Sequence, residues 1–236
     1  KNKQQTTNKM TKKTETPCVD SKNENKPRIF IACPGNRFSN NFLNSWTNLI
    51  MWIVNNGYVF TSSIDYSSLI QTSRDKVMGT SHNSAQPFNG KFEFDYMLLI
   101  DSDMTFHPKD LENLISRDVP VVSGIYRIKP DDSWSAWVGG DDGKVPSEGG
   151  GGDWINDEYV EKHKDQMVQG DFGGLGWCLI KKEVFDKLTP PLWFDDKADK
   201  NYGEDVVFFR KIKAAGYDIN FDMSVKLGHE KTFIFS

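Results

Sequence analysis

The strongest constraint on the fold is a repeated alternation of short apolar runs with amphipathic stretches. The run at 29–33, Ile-Phe-Ile-Ala-Cys, has the length and the continuous apolar character of a buried strand. Over 38–56 large apolar residues recur every three or four positions, which predicts an amphipathic helix that ends before Gly57. A second strand is predicted over 58–61. Strand, helix and strand in this order favour a right-handed βαβ unit and a parallel sheet.

The same alternation continues to the end of the chain. We predict further strands at 96–100, 119–126 and 177–180, helices that begin at Pro108 and that span 183–188 and 204–215, and a strand at 217–221 that closes the sheet. The glycine-rich stretch 139–152 is predicted to be a mobile surface loop. The predicted fold class is therefore α/β, with a Rossmann-like mixed, mostly parallel sheet flanked by helices in a single domain.

Residues 1–27 differ in composition from the rest of the chain. They contain mainly Lys, Asn, Gln and Thr and almost no large apolar side chains. Burial of such a segment cannot offset the entropy that ordering costs, so we predict a disordered tail at 1–27 and a folded domain at 28–236.

Charge and apolar runs limit the partners and the compartment. The tail carries seven Lys against three acidic residues, whereas the remainder carries 22 basic and 30 acidic side chains. An acidic body is a poor surface for a nucleic acid. No run is long enough for a membrane span, no signal peptide is visible, and three cysteines without C-x-x-C spacing favour a reducing compartment. We therefore expect a cytoplasmic protein.

A pair of aspartates follows the apolar run at 96–100. Asp101-Ser102-Asp103 stands at the carboxyl end of this predicted strand, which is where open α/β sheets bind ligands. Carboxylate oxygens suit Mg²⁺ or Mn²⁺. The same residues would also suit a turn that caps the following helix.

Four further segments, together with this Asp-Ser-Asp, resemble the GT-A-type glycosyltransferases, above all their viral and bacterial members. They are 67–74 (Ser-Ser-Leu-Ile-Gln-Thr-Ser-Arg), 121–129 (Val-Val-Ser-Gly-Ile-Tyr-Arg-Ile-Lys), 173–180 (Gly-Gly-Leu-Gly-Trp-Cys-Leu-Ile) and Gly203-Glu204-Asp205-Val206 followed by Gly228-His229. The matches occur in the family's order and span most of 28–236. Two positions depart from the family pattern, because Asp75 stands where Asn is usual and Arg127 where many members have Pro. For a viral member the expected compartment is the host cytoplasm.

The resemblance implies metal-dependent transfer of a sugar from a nucleotide-diphosphate sugar, with a UDP-sugar favoured, to a hydroxyl of a glycan or another acceptor. Asp101, Asp103 and His229 would hold the divalent cation, and a histidine ligand favours Mn²⁺ over Mg²⁺. The cation would stabilise the charge that gathers on the departing diphosphate. The competing explanation for His229 is an ordinary surface histidine.

Contacts to the nucleotide and to the sugars are expected at two groups of residues. The expected nucleotide contacts are Pro34, Gly35, Arg37, Asp65, Arg74, Asp101 and Ser102. The expected sugar or acceptor contacts are Tyr126, Lys129, Gly174, Leu175, Gly176, Trp177 and Glu204. The competing explanations are a surface ion pair for Arg74, a turn before a strand for the two glycines and core packing for Trp177.

Two acidic residues, Glu204 and Asp205, begin the helix predicted at 204–215. By resemblance to inverting members, Asp205 would be the general base that deprotonates the acceptor hydroxyl, and Glu204 would hydrogen-bond the acceptor. In a retaining enzyme Asp205 would only position the substrate. The helix dipole by itself also favours acidic residues in a first turn.

Two other functions stay open at this point. A sugar-1-phosphate nucleotidyltransferase shares the sheet architecture, although Pro34-Gly35-Asn36-Arg37 lacks the Gly-rich, basic loop that such enzymes carry after the first strand. A non-catalytic carbohydrate-binding or cation-binding relative is the other alternative. Because the chain ends soon after His229, we also expect it to be one domain of a larger protein.

Overall fold

A mixed β-sheet with helices on both faces organises the chain in a computed structural model that describes residues 26–130, 133–139, 152–193 and 203–231. The strands are β1 (Arg28–Pro34), β2 (Val59–Asp65), β3 (Tyr96–Ile100), β4 (Met104–Thr105), β5 (Val121–Tyr126), β6 (Ala136–Val138), β7 (Asp153–Trp154), β8 (Met167–Gly170), β9 (Phe172–Gly173), β10 (Trp177–Lys181) and β11 (Ile219–His229). The helices are α1 (Asn40–Asn55), α2 (Ile70–Met78), α3 (Pro108–Ser116), α4 (Asp157–Lys162), α5 (Lys182–Phe185) and α6 (Glu204–Ala214), with a 3-10 helix at Pro87–Gly90. The predicted strands and helices are present, and all but the last strand lie within a few residues of their predicted bounds.

The large sheet has the strand order β2-β1-β3-β10-β5-β11-β4, and β8 also pairs with β11. Strand β1 is parallel to β2 and β3, and β5 is parallel to β11. The alternation of strands and helices favours parallel strands, but strand β10 runs antiparallel to both β3 and β5. A second, three-stranded sheet has the strand order β7-β6-β9. The prediction of an α/β fold with a mixed sheet is confirmed.

The apolar strands supply both faces of the core. Along β1, Phe30 packs into a cluster on one face with α2 and α6, while Ile29 and Ile31 pack on the other face with α1 and α3. Strand β10 alternates in the same way, with Cys178 on the first face and Trp177 on the second. Strands buried on both faces explain why the sequence shows continuous apolar runs.

Two helix ends show why the helices begin where they do. The Ser39 side chain accepts a hydrogen bond from the Phe42 amide at the start of α1. His107 caps α3 in a reciprocal arrangement with Asp110, and Pro108 occupies the first helical turn, where no amide donor is needed. Ser, His and Pro therefore place α1 and α3 directly after the loops that leave β1 and β4.

The last strand is longer than predicted and does not close the sheet. Strand β11 lies between β5 and β4, and its pairing with β5 shifts register between Phe221 and Lys226. This irregularity lets the strand continue past 221, where the apolar run ends, and carries His229 to a pairing with Met104. The predicted strand is therefore present, but the prediction that it ends at 221 and closes the sheet is wrong.

Two sequence predictions concern residues for which the structure gives no description. The tail predicted at 1–27 falls outside the described residues up to position 25, and the glycine-rich loop falls outside them over 140–151. Within the described part of the chain, no helix combines the length and the apolar character that crossing a membrane requires.

A buried ion pair fixes the irregular part of β11. Asp222 is 0% exposed and accepts hydrogen bonds from Arg117 Nε at 2.6 Å and Nη2 at 3.0 Å. The amide and hydroxyl of Ser224 also donate to Asp222 Oδ1. The carboxylate therefore ties the end of α3 to the strand where its register changes.

We predict that Asp222→Ala lowers the free energy of unfolding by about 3 kcal/mol at neutral pH, measured by urea denaturation, because it leaves Arg117 without its buried partner. Burial raises the pKa of Asp222, but the hydrogen bonds from Arg117 and Ser224 outweigh it and hold the pKa below its ordinary value. The stabilisation is thus complete above the unfolded-state pKa of about 4 and is lost as pH falls through the lower folded-state pKa.

The matched control is Glu112→Ala, because Glu112, within α3, forms an ion pair of similar length with Lys109 but is half-exposed. This variant should unfold at nearly the parent's urea concentration. An equal loss in the two variants would contradict a special role for the buried pair.

Candidate functional site

Several of the predicted site residues lie at one edge of the sheet because parallel strands end there together. Pro34 and Asp65 are paired at the ends of β1 and β2, and Asp101 directly follows β3. Strand β10 runs the other way, so its first residues, preceded by Gly176, reach the same edge. The long strand β11, which comes after β10 and β5 in the strand order, ends with His229 at the same edge. The fold itself therefore gathers residues that are far apart in sequence.

Asp103 and His229 meet at this edge. The His229 Nε2 atom lies 3.1 Å from Asp103 Oδ2, and Lys231 Nζ lies 3.0 Å from the same oxygen. Burial works against the charge of Asp103, but the hydrogen bonds from His229 and Lys231 outweigh it and lower the pKa of Asp103 to about 2. The contact with Asp103 raises the pKa of His229. The two residues thus form an ion pair when the histidine is protonated.

The other ring nitrogen of His229 is fixed by the backbone. Nδ1 lies 2.7 Å from the carbonyl oxygen of Arg127, to which it donates as an N–H. The ring also packs edge-on against Tyr126, with 5.0 Å between the ring centroids. In the neutral tautomer this leaves the lone pair on Nε2, which points at Asp103.

Arg74 is buried beneath the other aspartate of the motif. Its side chain is 3% exposed, with Nη1 2.7 Å from Asp101 Oδ1 and Nη2 3.6 Å from Glu204 Oε1. Burial works against the charge of Arg74, but these neighbours raise its pKa. The Arg74 guanidinium pairs with two carboxylates inside the protein, and its expected contact with the nucleotide stays a prediction.

The position of Tyr126 explains why Gly174 and Gly176, just before β10, are glycines. A Cβ atom on Gly174 would overlap the Tyr126 hydroxyl, and one on Gly176 would lie 2.9 Å from Tyr126 Cζ. The amide of Gly176 donates to that hydroxyl at 3.1 Å, while its carbonyl accepts from the Asp101 amide at 3.1 Å. These glycines make room for a buried tyrosine. The expected contact of Gly174 and Gly176 with a sugar or acceptor stays a prediction.

Three residues expected to contact sugars have buried side chains. Tyr126 is 5%, Leu175 1% and Trp177 0% exposed. The Trp177 ring packs on Phe106 with 4.5 Å between centroids. The side chains of these three residues therefore pack inside the protein, and their expected contacts with a sugar or acceptor stay predictions.

Glu204 and Asp205 occupy the first turn of α6, as predicted. The Glu204 side chain is 14% exposed and faces Arg74. Asp205 Oδ1 accepts a hydrogen bond from the Val206 amide at 2.8 Å. Burial, followed by the negative charge of Glu204, raises the pKa of Asp205 to about 6. Asp205 therefore has the proton affinity of a base that works near neutral pH.

A cleft of about 270 Å³ opens between the first strands and the Asp-Ser-Asp turn. It is lined by Pro34, Gly35, Asn36, Tyr66, Ser67, Ser68, Ile70, Ser73 and Ser102. Gly35 lies so close to Ser102 that a Cβ there would overlap the serine side chain. Arg37 and Asp65 are exposed and adjoin lining residues in sequence, but they do not line the cleft themselves.

A second, larger cleft of about 560 Å³ lies beside His229. Its other lining residues are Arg127, Ile128, Lys129, Pro130 and Lys231. Lys129 is exposed there, as a contact for an acceptor requires. Arg127 donates two short hydrogen bonds to Asp157 and stacks over Trp134.

Three acidic or histidine side chains were expected to share one cation. Among the residues that the structure describes, no three His, Cys, Asp or Glu side chains lie close enough to do so. Asp103 and His229 are in contact, whereas Asp101 faces Arg74. The structure thus separates the two aspartates of the motif into different environments.

Lys231 is the site residue that sequence reasoning missed. It stands two positions after His229 and directly after Glu230, and an exposed lysine beside an acidic residue is common at protein surfaces. Its position at Asp103 depends on the pairing of Gly228 and His229 with β4, which no local pattern reveals.

Comparison with known proteins places the chain by its fold. No family model matches it, and no curated protein matches it. The crystal structure of A197 from STIV superposes with a TM-score of 0.56 and 18% identity over 88% of this chain and 87% of that chain. The structure of GalNAc-T7 with UDP, GalNAc and Mn²⁺ superposes with a TM-score of 0.52 and 14% identity over 87% of this chain. The match covers 44% of the GalNAc-T7 chain.

At these identities the similarity shows the fold alone. The architecture is a mixed α/β sheet flanked by helices, which matches a Rossmann-like GT-A fold. The expected fold class is confirmed, and the family remains a resemblance.

The buried contacts of Arg74 lead to a prediction about stability. Arg74→Met should lower the free energy of unfolding by about 3 kcal/mol at pH 7, because it leaves Asp101 and Glu204 without their shared counter-charge. Urea denaturation measures the effect.

Arg28→Met is the matched control, because Arg28 also faces two carboxylates, Glu93 and Asp95, but at the surface. Its removal should change stability little. If Arg74→Met proved as harmless as this control, the central position that we assign to Arg74 would be refuted.

Proposed function

We propose that the chain is a metal-dependent glycosyltransferase that transfers a sugar from a nucleotide-diphosphate sugar, with UDP as the favoured nucleotide, to a hydroxyl of a glycan or other acceptor. The observation that carries the proposal is the meeting of Asp103 and His229, which are 126 positions apart, at the edge of the sheet. The pair combines a carboxylate with an imidazole nitrogen next to two clefts.

The chemistry of this pair fits a divalent cation. The backbone carbonyl of Arg127 orients His229 so that Nε2 faces Asp103, as the outer partner of a metal-bound histidine does. Two protein ligands suffice for a Mg²⁺-like ion that also binds substrate phosphates and water. An imidazole among oxygen ligands favours Mn²⁺. Asp103 and His229 would hold the ion, and Asp101 would assist from beside it.

When bound, the ion supplies electrostatic stabilisation of the departing diphosphate. The chain itself supplies the position of the nucleotide. Pro34, Gly35 and Ser102 form the walls of the smaller cleft, and Asp65 and Arg37 are exposed residues beside it. Arg74 compensates the charge of Asp101 from inside the protein and fixes the carboxylate of that aspartate.

The acceptor hydroxyl would lose its proton to Asp205. The Asp205 carboxylate, with a pKa of about 6, is ionised at neutral pH and is still basic enough to take a proton. Glu204 would orient the acceptor, and Arg74 holds Glu204 in place. Lys129 would contact the acceptor from the larger cleft.

The fold supports this proposal at a coarser level. GalNAc-T7, which shares the fold, has been solved with UDP, GalNAc and Mn²⁺. A sugar-1-phosphate nucleotidyltransferase is the less favoured alternative, since the loop after β1 lacks a basic, glycine-rich character. Release of pyrophosphate from a nucleoside triphosphate would identify that alternative, and binding of a glycan without any nucleotide would identify a non-catalytic relative.

The first functional prediction concerns the cation. Asp103→Ala should abolish Mn²⁺-dependent binding of UDP, measured by calorimetry, and should reduce donor hydrolysis to the metal-free level, because it removes one of the two protein ligands. A screen of UDP-, GDP- and dTDP-sugars identifies the donor for the second measurement.

The matched control is Asp186→Ala, which removes a half-exposed carboxylate paired with Lys182 just after β10, at the opposite end of that strand from the site. This variant should keep Mn²⁺-dependent UDP binding. Undiminished UDP binding and hydrolysis in a folded Asp103→Ala protein would overturn the proposed function.

The second functional prediction concerns pH. Since the base must be ionised, kcat/KM at saturating Mn²⁺ should be constant above the Asp205 pKa of about 6 and should fall about tenfold for each pH unit below it. Asp205→Asn should lower kcat by roughly 10² to 10⁴ and should remove this acidic limb. An unchanged limb in the variant would assign the titration to another group and remove Asp205 from the role of base.

A further inference from the structure

A lysine ammonium shares the carboxylate oxygen that we assign to the metal. Lys231 Nζ lies 3.0 Å from Asp103 Oδ2, and His229 Nε2 lies 3.1 Å from the same atom. The Lys231 side chain is 52% exposed, so it reaches this oxygen from the solvent side. A positive charge therefore already stands where a divalent cation would bind.

Backbone contacts fix the segment that carries this lysine. The Glu230 amide donates to the carbonyl of Asp103 at 2.8 Å. The side-chain amide of Asn41 donates to Glu230 Oε1 at 2.6 Å, which ties the segment to the first turn of α1. Strand pairing of Gly228 with Thr105 completes the attachment. Lys231 thus directly follows a residue whose backbone is hydrogen-bonded to Asp103.

The charges around the site give the lysine a strong effect. The charge of Asp101 is already compensated by Arg74, so Asp103 is the ionised carboxylate that faces His229. Lys231 neutralises this one charge. A divalent cation that arrived without a nucleoside diphosphate would have to displace the Lys231 ammonium or share Asp103 Oδ2 with it. Repulsion between two positive charges at such distances is strong even near a protein surface.

We propose that Lys231 is a positioning residue that holds the Asp103 carboxylate in place before the metal binds and competes with the free metal ion for it. The inference rests on the proposed function, because it takes Asp103 and His229 as the protein ligands of the ion. A nucleoside diphosphate brings negative charge that compensates both the ion and the displaced ammonium. The metal should therefore bind tightly only together with the diphosphate, which couples metal binding to arrival of the donor.

The test measures Mn²⁺ affinity directly, by electron paramagnetic resonance or calorimetry, with and without UDP. Lys231→Met should bind Mn²⁺ alone about tenfold more tightly than the parent, and the gain in affinity that UDP produces should shrink by a similar factor. Lys231→Arg, which keeps the positive charge, should stay close to the parent in both measurements. The predicted effect should weaken as the salt concentration rises.

Lys164→Met is the matched control. Lys164 forms an exposed ion pair of 2.7 Å with Glu161, and its side chain is 60% exposed, close to that of Lys231. This variant should bind Mn²⁺ as the parent does, with and without UDP. Circular dichroism and thermal unfolding show whether each variant is folded.

The outcomes separate this inference from the proposed function. If Asp103→Ala loses Mn²⁺ binding while Lys231→Met binds Mn²⁺ no more tightly than the parent, the metal site stands and the role of Lys231 is refuted. If Asp103→Ala binds Mn²⁺ with UDP as well as the parent does, or if no protein binds Mn²⁺ even with UDP, the proposed function falls and the inference falls with it.

Discussion

One buried cation connects the parts of the candidate site. Arg74, on α2, lies between Asp101 at the end of β3 and Glu204 at the start of α6. Three elements from different parts of the chain are thereby held around one charge. A buried guanidinium requires partners, and each of these carboxylates would be costly to bury without it. The position of the Asp-Ser-Asp turn relative to α6 depends on this mutual requirement.

The same arrangement gives the two aspartates of one short motif different chemistry. Asp101 is compensated from inside the protein by Arg74, whereas Asp103 faces His229 and Lys231 at the surface of the site. The proposed roles follow this difference, with Asp103 as the metal ligand and Asp101 as its supported neighbour. Asp205 differs again, because burial beside Glu204 raises its pKa to about 6. Environment, rather than residue type, assigns these carboxylates to separate tasks.

Much of the fold could be predicted from local pattern. The apolar run at 96–100 coincides with β3, and the helix predicted to begin at Pro108 does so because His107 caps it. The direction of β10 could not be predicted, since an apolar strand buried on both faces reads the same in either direction. The length of β11 was also beyond prediction, because its second half depends on a register shift supported by the buried Asp222.

The sequence by itself determined the alternation of strands and helices and the residue types at the edge of the sheet, because both depend on periodicity and on neighbours along the chain. Resemblance to known motifs added the expectation that Asp103 and His229 belong together. Only the tertiary structure decided that Arg74 and Trp177 are buried, that Gly174 and Gly176 make room for Tyr126, and that Lys231 reaches Asp103. Burial and contact at these positions arise from segments that are far apart along the chain, and no local pattern carries that information.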